Sequence, residues 1–244
     1  MQVTESNTHI HQTESKTETV LTTLVGNKFT ITIIDATAEL PSQMILLRDD
    51  VLVSELMMLN PDELLISDDH FGTHVLLYEN ATGRMVGATH VAPAEQITFM
   101  HYAGYDAQEL ANSVLSRSSV IAKNYRSRGL LHLLLSAAAN FYVQRGRNKV
   151  ITYLPEDTIY PQRRFNLTPV AEGSARKVQV QSGQTFCLKP FFISFEHLLH
   201  LDVNLDQEVK DLIYKIRSFD WFSQNTGTIS AFNVSNQNIG LDRT

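Results

Sequence analysis

The stretch from Ser116 to Leu135 constrains the fold of this chain more than any other. Val114 to Ala122 is short, partly β-branched and bounded by polar residues, which predicts a strand. The apolar run that begins at Leu130 continues through Ala137, Ala138, Ala139, Phe141 and Tyr142, long enough for a helix. Between them lies a basic turn, Lys123-Asn124-Tyr125-Arg126-Ser127-Arg128-Gly129. A strand that feeds a helix through such a turn aims several unpaired backbone N–H groups at one spot, where the helix N-terminus adds about half a positive charge. That arrangement favours an anion, phosphate above all. Arg126 and Arg128 add formal charge to it. Taken alone, one glycine in a basic turn is equally an ordinary connection.

With 244 residues, 43% hydrophobic and 19% charged, the chain has the composition of a soluble globular protein with a sizeable core. A net charge of −6 argues against a general nucleic-acid binder, which carries a basic face. Cys187 is the single cysteine, so no internal disulfide forms and a reducing, cytoplasmic setting is expected. Flanked by Phe186 and Leu188, it reads as a buried, inert thiol. No apolar run approaches the ~18 residues of a membrane span, and a basic-then-apolar leader is not seen. His70 and His74 are four apart but straddle Gly72, and His9, His11, His197 and His200 lack carboxylate or thiolate support; no metal is expected.

Residues 1–20 read as a disordered tail. Lys28 to Asp35 alternates as a strand, and Ala38 to Leu59 carries the spacing of one or two amphipathic helices. Thr73 to Tyr78 and Met85 to Val91 form a hairpin around Gly83. Pro93 to Gly104 is irregular, and Asp106 to Ser113 is a short helix or turn. Lys149 to Leu154 is a strand and Thr158 to Phe165 a short helical piece. Leu167 to Ala171, Lys177 to Gln181 and Gln184 to Lys189 are three short strands. Leu205 to Phe219 is an amphipathic helix. The order predicts an α/β (α+β) fold with a mixed central sheet flanked by helices. Residues 21–195 form the main domain, and 196–244 a C-terminal helical extension and tail.

Arg126-x-x-Gly129 after a strand, followed by an apolar helix, resembles the thioester-binding motif of the GNAT superfamily of N-acyltransferases. Leu131 stands where that motif usually has Gly or Ala. Within the superfamily, Arg48, Glu55-Leu56, Glu63 with Asp68-Asp69, the hairpin 73–87, Ser116-Arg117 and Tyr125-Arg126 look most like the autoinducer synthase and long-chain N-acyl amino acid synthase branch. Apolar Val114 or Leu115 replaces the acid that precedes Ser-Arg in autoinducer synthases.

The resemblance implies a GNAT-like fold and transfer of an acyl group, fatty acyl by the branch, from a thioester to an amine by direct attack. The co-substrate would be acyl-CoA or an acyl carrier protein bearing phosphopantetheine. A bulky Leu131 crowds a diphosphate more than the single phosphodiester of a carrier, and both donors stay open. The acceptor would be an amino acid, a small amine, or a Lys or Ornithine side chain of a peptide. Arg126, Ser127, Arg128, Gly129, Leu130 and Leu131 would hold the donor phosphate, and a backbone N–H among Val120, Ile121 and Ala122 the oxyanion. His90 is the candidate base, with Glu156 and Asp157 as rivals, and Tyr160 the candidate acid for the thiolate. Arg48, Glu63, Asp69 and Arg117 are the candidate acceptor-binding residues. The competing expectation is a non-catalytic module on the same fold that binds an acyl thioester or a partner protein.

Overall fold

The computed structural model describes residues 20–37, 40–56, 70–97, 100, 105–155, 167–170, 175–179, 183, 185–200 and 205–222. Nine strands form one sheet: β1 (Val20–Val25), β2 (Phe29–Asp35), β3 (Thr73–Glu79), β4 (Met85–Pro93), β5 (Ser113–Ile121), β6 (Lys149–Pro155), β7 (Thr168–Pro169), β8 (Arg176–Gln179) and β9 (Thr185–Ser194). Their spatial order is β1-β2-β3-β4-β5-β6-β9-β7, with β8 also pairing β9. Every described pair is antiparallel except β5 with β6. The mixed α/β sheet is therefore as the element order predicts. β1 is an addition, lying just past the stretch that reads as a tail.

Helix α3 (Leu130–Val143) crosses one face of the sheet, and almost all of it is buried. Its apolar side chains meet Ile31, Ile33, Val75, Leu77 and Val91 from the strands. Two later helices, α4 (Phe195–His200) and α5 (Gln207–Ser218), cover α3 from outside. A helix buried on several sides must satisfy its polar groups within the protein. His132, Ser136 and Asn140, four residues apart on α3, form one stripe for this purpose. The ring Nε2–H of His132 donates to the Leu198 carbonyl at 2.7 Å, and Ser136 Oγ donates to the same oxygen at 3.3 Å. Asn140 Nδ2 donates to the Ile216 carbonyl. Gln144 extends the row, donating to the Phe219 carbonyl at 2.7 Å and accepting from the Trp221 N–H at 3.1 Å. The described residues 195–200 and 205–222 are thus keyed into the same core as the main domain. At the far end of α3, the Tyr142 hydroxyl donates to the Val91 carbonyl at 2.9 Å, and burial pushes that phenol up to about 12.

On the opposite face lies α1 (Ser42–Arg48), which runs directly into a π-helical segment, Asp49–Glu55. Met44, Leu47, Val51 and Leu52 form its buried stripe, against Ile34, Leu76, Met85, Ala88 and Val120. Apolar spacing predicts an α-helix here; the wider winding shows in the Leu56 N–H donating five residues back to Val51. α2 (Ala107–Ala111) is capped by the Asp106 carboxylate, which accepts from the Glu109 N–H, and leads into β5.

Leu212, 2% exposed on α5, packs in the core beneath Gly26. If the C-terminal helices are integral, Leu212→Ala costs about 2–5 kcal/mol. Urea unfolding followed by circular dichroism should show one shifted, still cooperative transition; loss of a separate early transition alone would instead make the extension an independent unit.

Candidate functional site

β5 pairs with β6 through only Ser113↔Lys149, Val114↔Val150 and Leu115↔Ile151. Beyond that the two strands part. β6 continues in register with β9 as far as Pro155↔Leu188, and β5 continues with β4 as far as Gly87↔Ile121. Residues 116–121 of β5 therefore border a gap in the sheet, and among the described residues no strand fills it. Antiparallel alternation decides which amides face it. The Ala122 N–H donates to the Val86 carbonyl on β4 at 2.9 Å, and Val120, two residues back, points the same way and pairs with Ala88. Of the three expected oxyanion donors, Val120 and Ala122 are thus committed to β4. Ile121 faces the gap.

The ladder between β4 and β5 shifts by one residue between Ala88↔Val120 and His90↔Arg117, so Thr89 faces both Ser118 and Ser119. Ser118 has φ 49°, in the left-handed region that serine rarely enters. This is a β-bulge at the open edge.

At the end of β5 comes a 3₁₀ turn (Lys123–Tyr125), then Arg126 to Gly129, then α3. Gly129 caps α3 with φ 83°, and a Cβ there would lie 2.1 Å from Leu205 Cδ2. Ser127 is also left-handed, with φ 62°. Among the described residues no acceptor takes the backbone N–H groups of residues 127–131, whereas Arg126 N–H donates to Lys123 and Leu133 N–H to Gly129. Ser127 and Arg128 are exposed, Gly129 half-buried, Leu130 buried and Leu131 36% exposed. The loop thus leaves these amides open to an acceptor from outside the described residues.

The two loop arginines divide their work. Arg126 is engaged within the protein: its Nη atoms donate to both Glu55 oxygens at 2.6 and 2.7 Å, and Nε donates to the Ile121 carbonyl at 3.0 Å. It clamps the π-helical segment to the end of β5 and is not aimed at a phosphate. Those bonds, above all, hold the Glu55 carboxyl below its ordinary range. Arg128 is exposed, with its guanidinium 5.6 Å from the Tyr125 ring centre. It borders a cavity of about 280 Å³ shared with Lys28 and the start of α5. A larger cavity, about 500 Å³, lies between the π-helical segment and the 3₁₀ turn, with Leu47, Val51 and Ala122 below and Asp50, Arg84 and Lys123 around it.

His90 does not stand as a free base. It is fully buried, and both ring nitrogens are bonded: Nδ1 accepts from Arg117 Nε at 3.0 Å, so Nε2 carries the proton and donates to the Phe71 carbonyl at 2.6 Å. A nitrogen that already accepts a bond from a guanidinium is poorly placed to take a proton from an incoming amine. The geometry gives His90 a positioning role for Arg117. His74, also fully buried, lies opposite on β3 with its ring centre 4.9 Å from that of His90. His74, His90 and Arg117 form a polar row across β3, β4 and β5, between the apolar cluster under α1 and a second one around Ala92, Leu115 and Ile151. Arg48 is 1% exposed at the end of α1, on that face. Glu63, Asp68, Asp69, Glu156, Asp157 and Tyr160 lie outside the described residues.

Among the described residues no three His, Cys, Asp or Glu side chains gather as metal ligands, and no helix is long and apolar enough to cross a membrane. Compared by sequence, the chain matches no protein-family model and no curated protein. Compared by structure, it is similar to several acyltransferases. One is an acyl-CoA N-acyltransferase from Pseudomonas aeruginosa, 14% identical over 68% of this chain and 99% of the other, with a TM-score of 0.49. Another is yncA, a putative acetyltransferase from Salmonella typhimurium with its cofactor acetyl-CoA, 13% identical over 74% and 99%, TM-score 0.47. A third is BjaI, a CoA-dependent acyl-homoserine lactone synthase with MTA, 18% identical over 72% and 81%, TM-score 0.46.

The clamp between Arg126 and Glu55 titrates in a defined direction. A carboxyl held low keeps its bond at all pH above the ordinary carboxylate value of about 4.3 and loses it as pH falls through the lowered one. The Arg126 Nη–H proton resonances, which report the bonds to Glu55, should hold steady from neutral pH to about 4.3 and move only below it. In Glu55→Gln they should be displaced already at neutral pH.

Proposed function

We propose that this protein is an N-acyltransferase that takes an acyl group from a phosphopantetheine thioester, as acyl-CoA or as an acyl carrier protein, and passes it to an amine. The observation that carries the reading is the pairing of two features: a gap beside β5 and a fan of outward amides at residues 127–131 at the end of that strand. A phosphate suits the amides, with Arg128 beside it. The pantetheine arm carries two amide groups and can lie along the open edge as a strand would, meeting Ile121 N–H. From Ala122 back to Ser118 is about 13 Å at strand rise. An arm anchored at the loop and extended that far brings its thioester to the bulge.

The acceptor would approach on the face that carries the row His74, His90 and Arg117, with Arg48, Arg117, Glu63 and Asp69 proposed to bind it. Attack of the amine nitrogen on the acyl carbon places negative charge on the carbonyl oxygen, and a gap-facing amide of β5 would stabilise it. Glu156 and Tyr160, which follow β6 in sequence, are proposed as base and acid. A fatty acyl chain and a cytoplasmic location belong to this proposal too.

The second reading, a module that binds the thioester without turning it over, is favoured by one observation: both ring nitrogens of His90 are already engaged within the protein. Thiol release separates the two. Coenzyme A and 4′-phosphopantetheine should each bind in calorimetry, and acyl thioesters of several chain lengths should release thiol only when an amine from an acceptor panel is present. Binding without amine-dependent release with either donor supports the second reading, and no binding of either ends both.

Arg128 supplies the test of the anchoring end. Arg128→Ala should raise the Kd for 4′-phosphopantetheine about tenfold, the scale of one lost charge-assisted contact, while leaving the rate at saturation nearly unchanged.

A further inference from the structure

At the bulge, three hydroxyls of this chain meet in a manner the proposed function does not require. Thr89 Oγ1, fully buried on β4, lies 2.7 Å from Ser119 Oγ and 3.3 Å from Ser116 Oγ. Ser116 is 5% exposed, while Ser119 is exposed at the edge of the gap. The Ser116 to Ser119 separation is 3.5 Å, at the limit of hydrogen bonding, so the three form a chain through Thr89 and not a closed ring.

A chain of hydroxyls has a direction. Each O–H donates once and either oxygen of each pair can be the donor; of the two senses, an acceptor at the open edge selects the one in which Ser116 donates to Thr89 and Thr89 to Ser119. Ser119 then has its own proton left to donate outward, strengthened by the two bonds behind it. The left-handed Ser118 is what brings this about: it adds one residue to β5, so that Ser116 and Ser119, three apart, can both reach Thr89. Simple alternation would place them on opposite faces. A backbone strain of this kind persists only where its surroundings fix it.

We infer that Ser119, polarised through Thr89 and Ser116, donates a hydrogen bond to the sulfur of the phosphopantetheine thioester and holds the thiolate as it leaves. This rests on the proposed acyl transfer, because it places the thioester at the bulge. In the step, the amine nitrogen forms a bond to the acyl carbon and the carbon–sulfur bond breaks with its electron pair going to sulfur. The proton lost by the amine ends on the thiolate. Ser119 keeps its own proton throughout: an alcohol is a weaker acid than a thiol, so it serves as a donor of a hydrogen bond and not of a proton. Ser119 touches the reacting atoms; Thr89 and Ser116 are positioning residues.

The experiment follows the free thiol of bound 4′-phosphopantetheine and, separately, of bound coenzyme A, by the ultraviolet absorbance of thiolate against pH, using the full chain. A donor facing sulfur stabilises the thiolate, so the thiol bound to the native protein should titrate about one pH unit lower than the same thiol bound to Ser119→Ala. Thr89→Val keeps the shape of a buried residue and removes its hydroxyl; it should raise the bound thiol's titration in the same direction, and Thr89→Ser should restore it. A purely structural role for Thr89 would move the thermal midpoint and leave the titration of the bound thiol where it was. The effect in both ligands supports the seat for either donor, and in coenzyme A alone it supports CoA as the source. Equal titration in the native protein and Ser119→Ala, with both ligands still bound, overturns the inference and leaves the acyltransferase reading standing. Failure of both ligands to bind overturns the two together.

Discussion

Everything at the candidate site depends on β5 being a strand with a partner on both sides for only its first three residues. A strand in the middle of a sheet normally spends all its backbone groups on its neighbours. Once β6 turns away to stay with β9, the β6-side groups of β5 from Ser116 onward need another partner, either water or a ligand that can imitate a strand. One device partly answers the need from within: Arg126 donates to the Ile121 carbonyl, which accounts for an acceptor and leaves the neighbouring N–H. An edge that keeps donors while its acceptor is covered prefers a ligand offering carbonyl oxygens, and an amide-bearing arm or a thioester does so.

The gap can persist because the sheet around it is held from both faces. On one side α3 is buried nearly along its length and tied by His132, Ser136, Asn140 and Gln144 to Leu198, Ile216, Phe219 and Trp221. On the other, the Arg126–Glu55 pair joins the π-helical segment to the strand end. Both ties are made to backbone or charge partners far away in sequence. A sheet parted in its middle loses ladder bonds there, and such cross-ties compensate by fixing the two halves to shared helices. Leu205 shows the same economy, filling the space that the missing side chain of Gly129 leaves open.

The strand, the basic turn and the apolar helix were legible because each leaves a local mark: β-branching, a single glycine, an unbroken apolar run. The hairpin around Gly83 was legible for the same reason. What escaped has non-local causes. Arg126 reads as a free cation until its partner, 71 residues earlier, is in place. His90 reads as a strand-end base, and only the register with Arg117 and the carbonyl of Phe71 shows both nitrogens spent. The polar residues inside α3 leave no local mark, since the role of the stripe they form at a spacing of four is visible only with the C-terminal helices in view. The bulge at Ser118 has no glycine to announce it. The π-helical winding of Asp49–Glu55 is likewise silent, because a buried stripe of Met44, Leu47, Val51 and Leu52 fits an α-helix equally well.

Two serines in the left-handed region, Ser118 and Ser127, bracket the open edge of β5 at either end. Glycine would adopt both conformations at less cost, and at Gly129 the chain uses it. Glycine at 118 would make the bulge easier to form and would also make it looser, because a residue that reaches many conformations holds none of them firmly. The cost of left-handed serine at Ser118 is tolerable only if the neighbouring contacts determine the geometry, and the Thr89 hydroxyl with its two serine partners supplies them. Those contacts tie the bulge, and Ser119 with it, to β4. Fixed donors need no reorganisation when charge develops beside them, which is the condition under which a few hydrogen bonds have a large effect on a reaction.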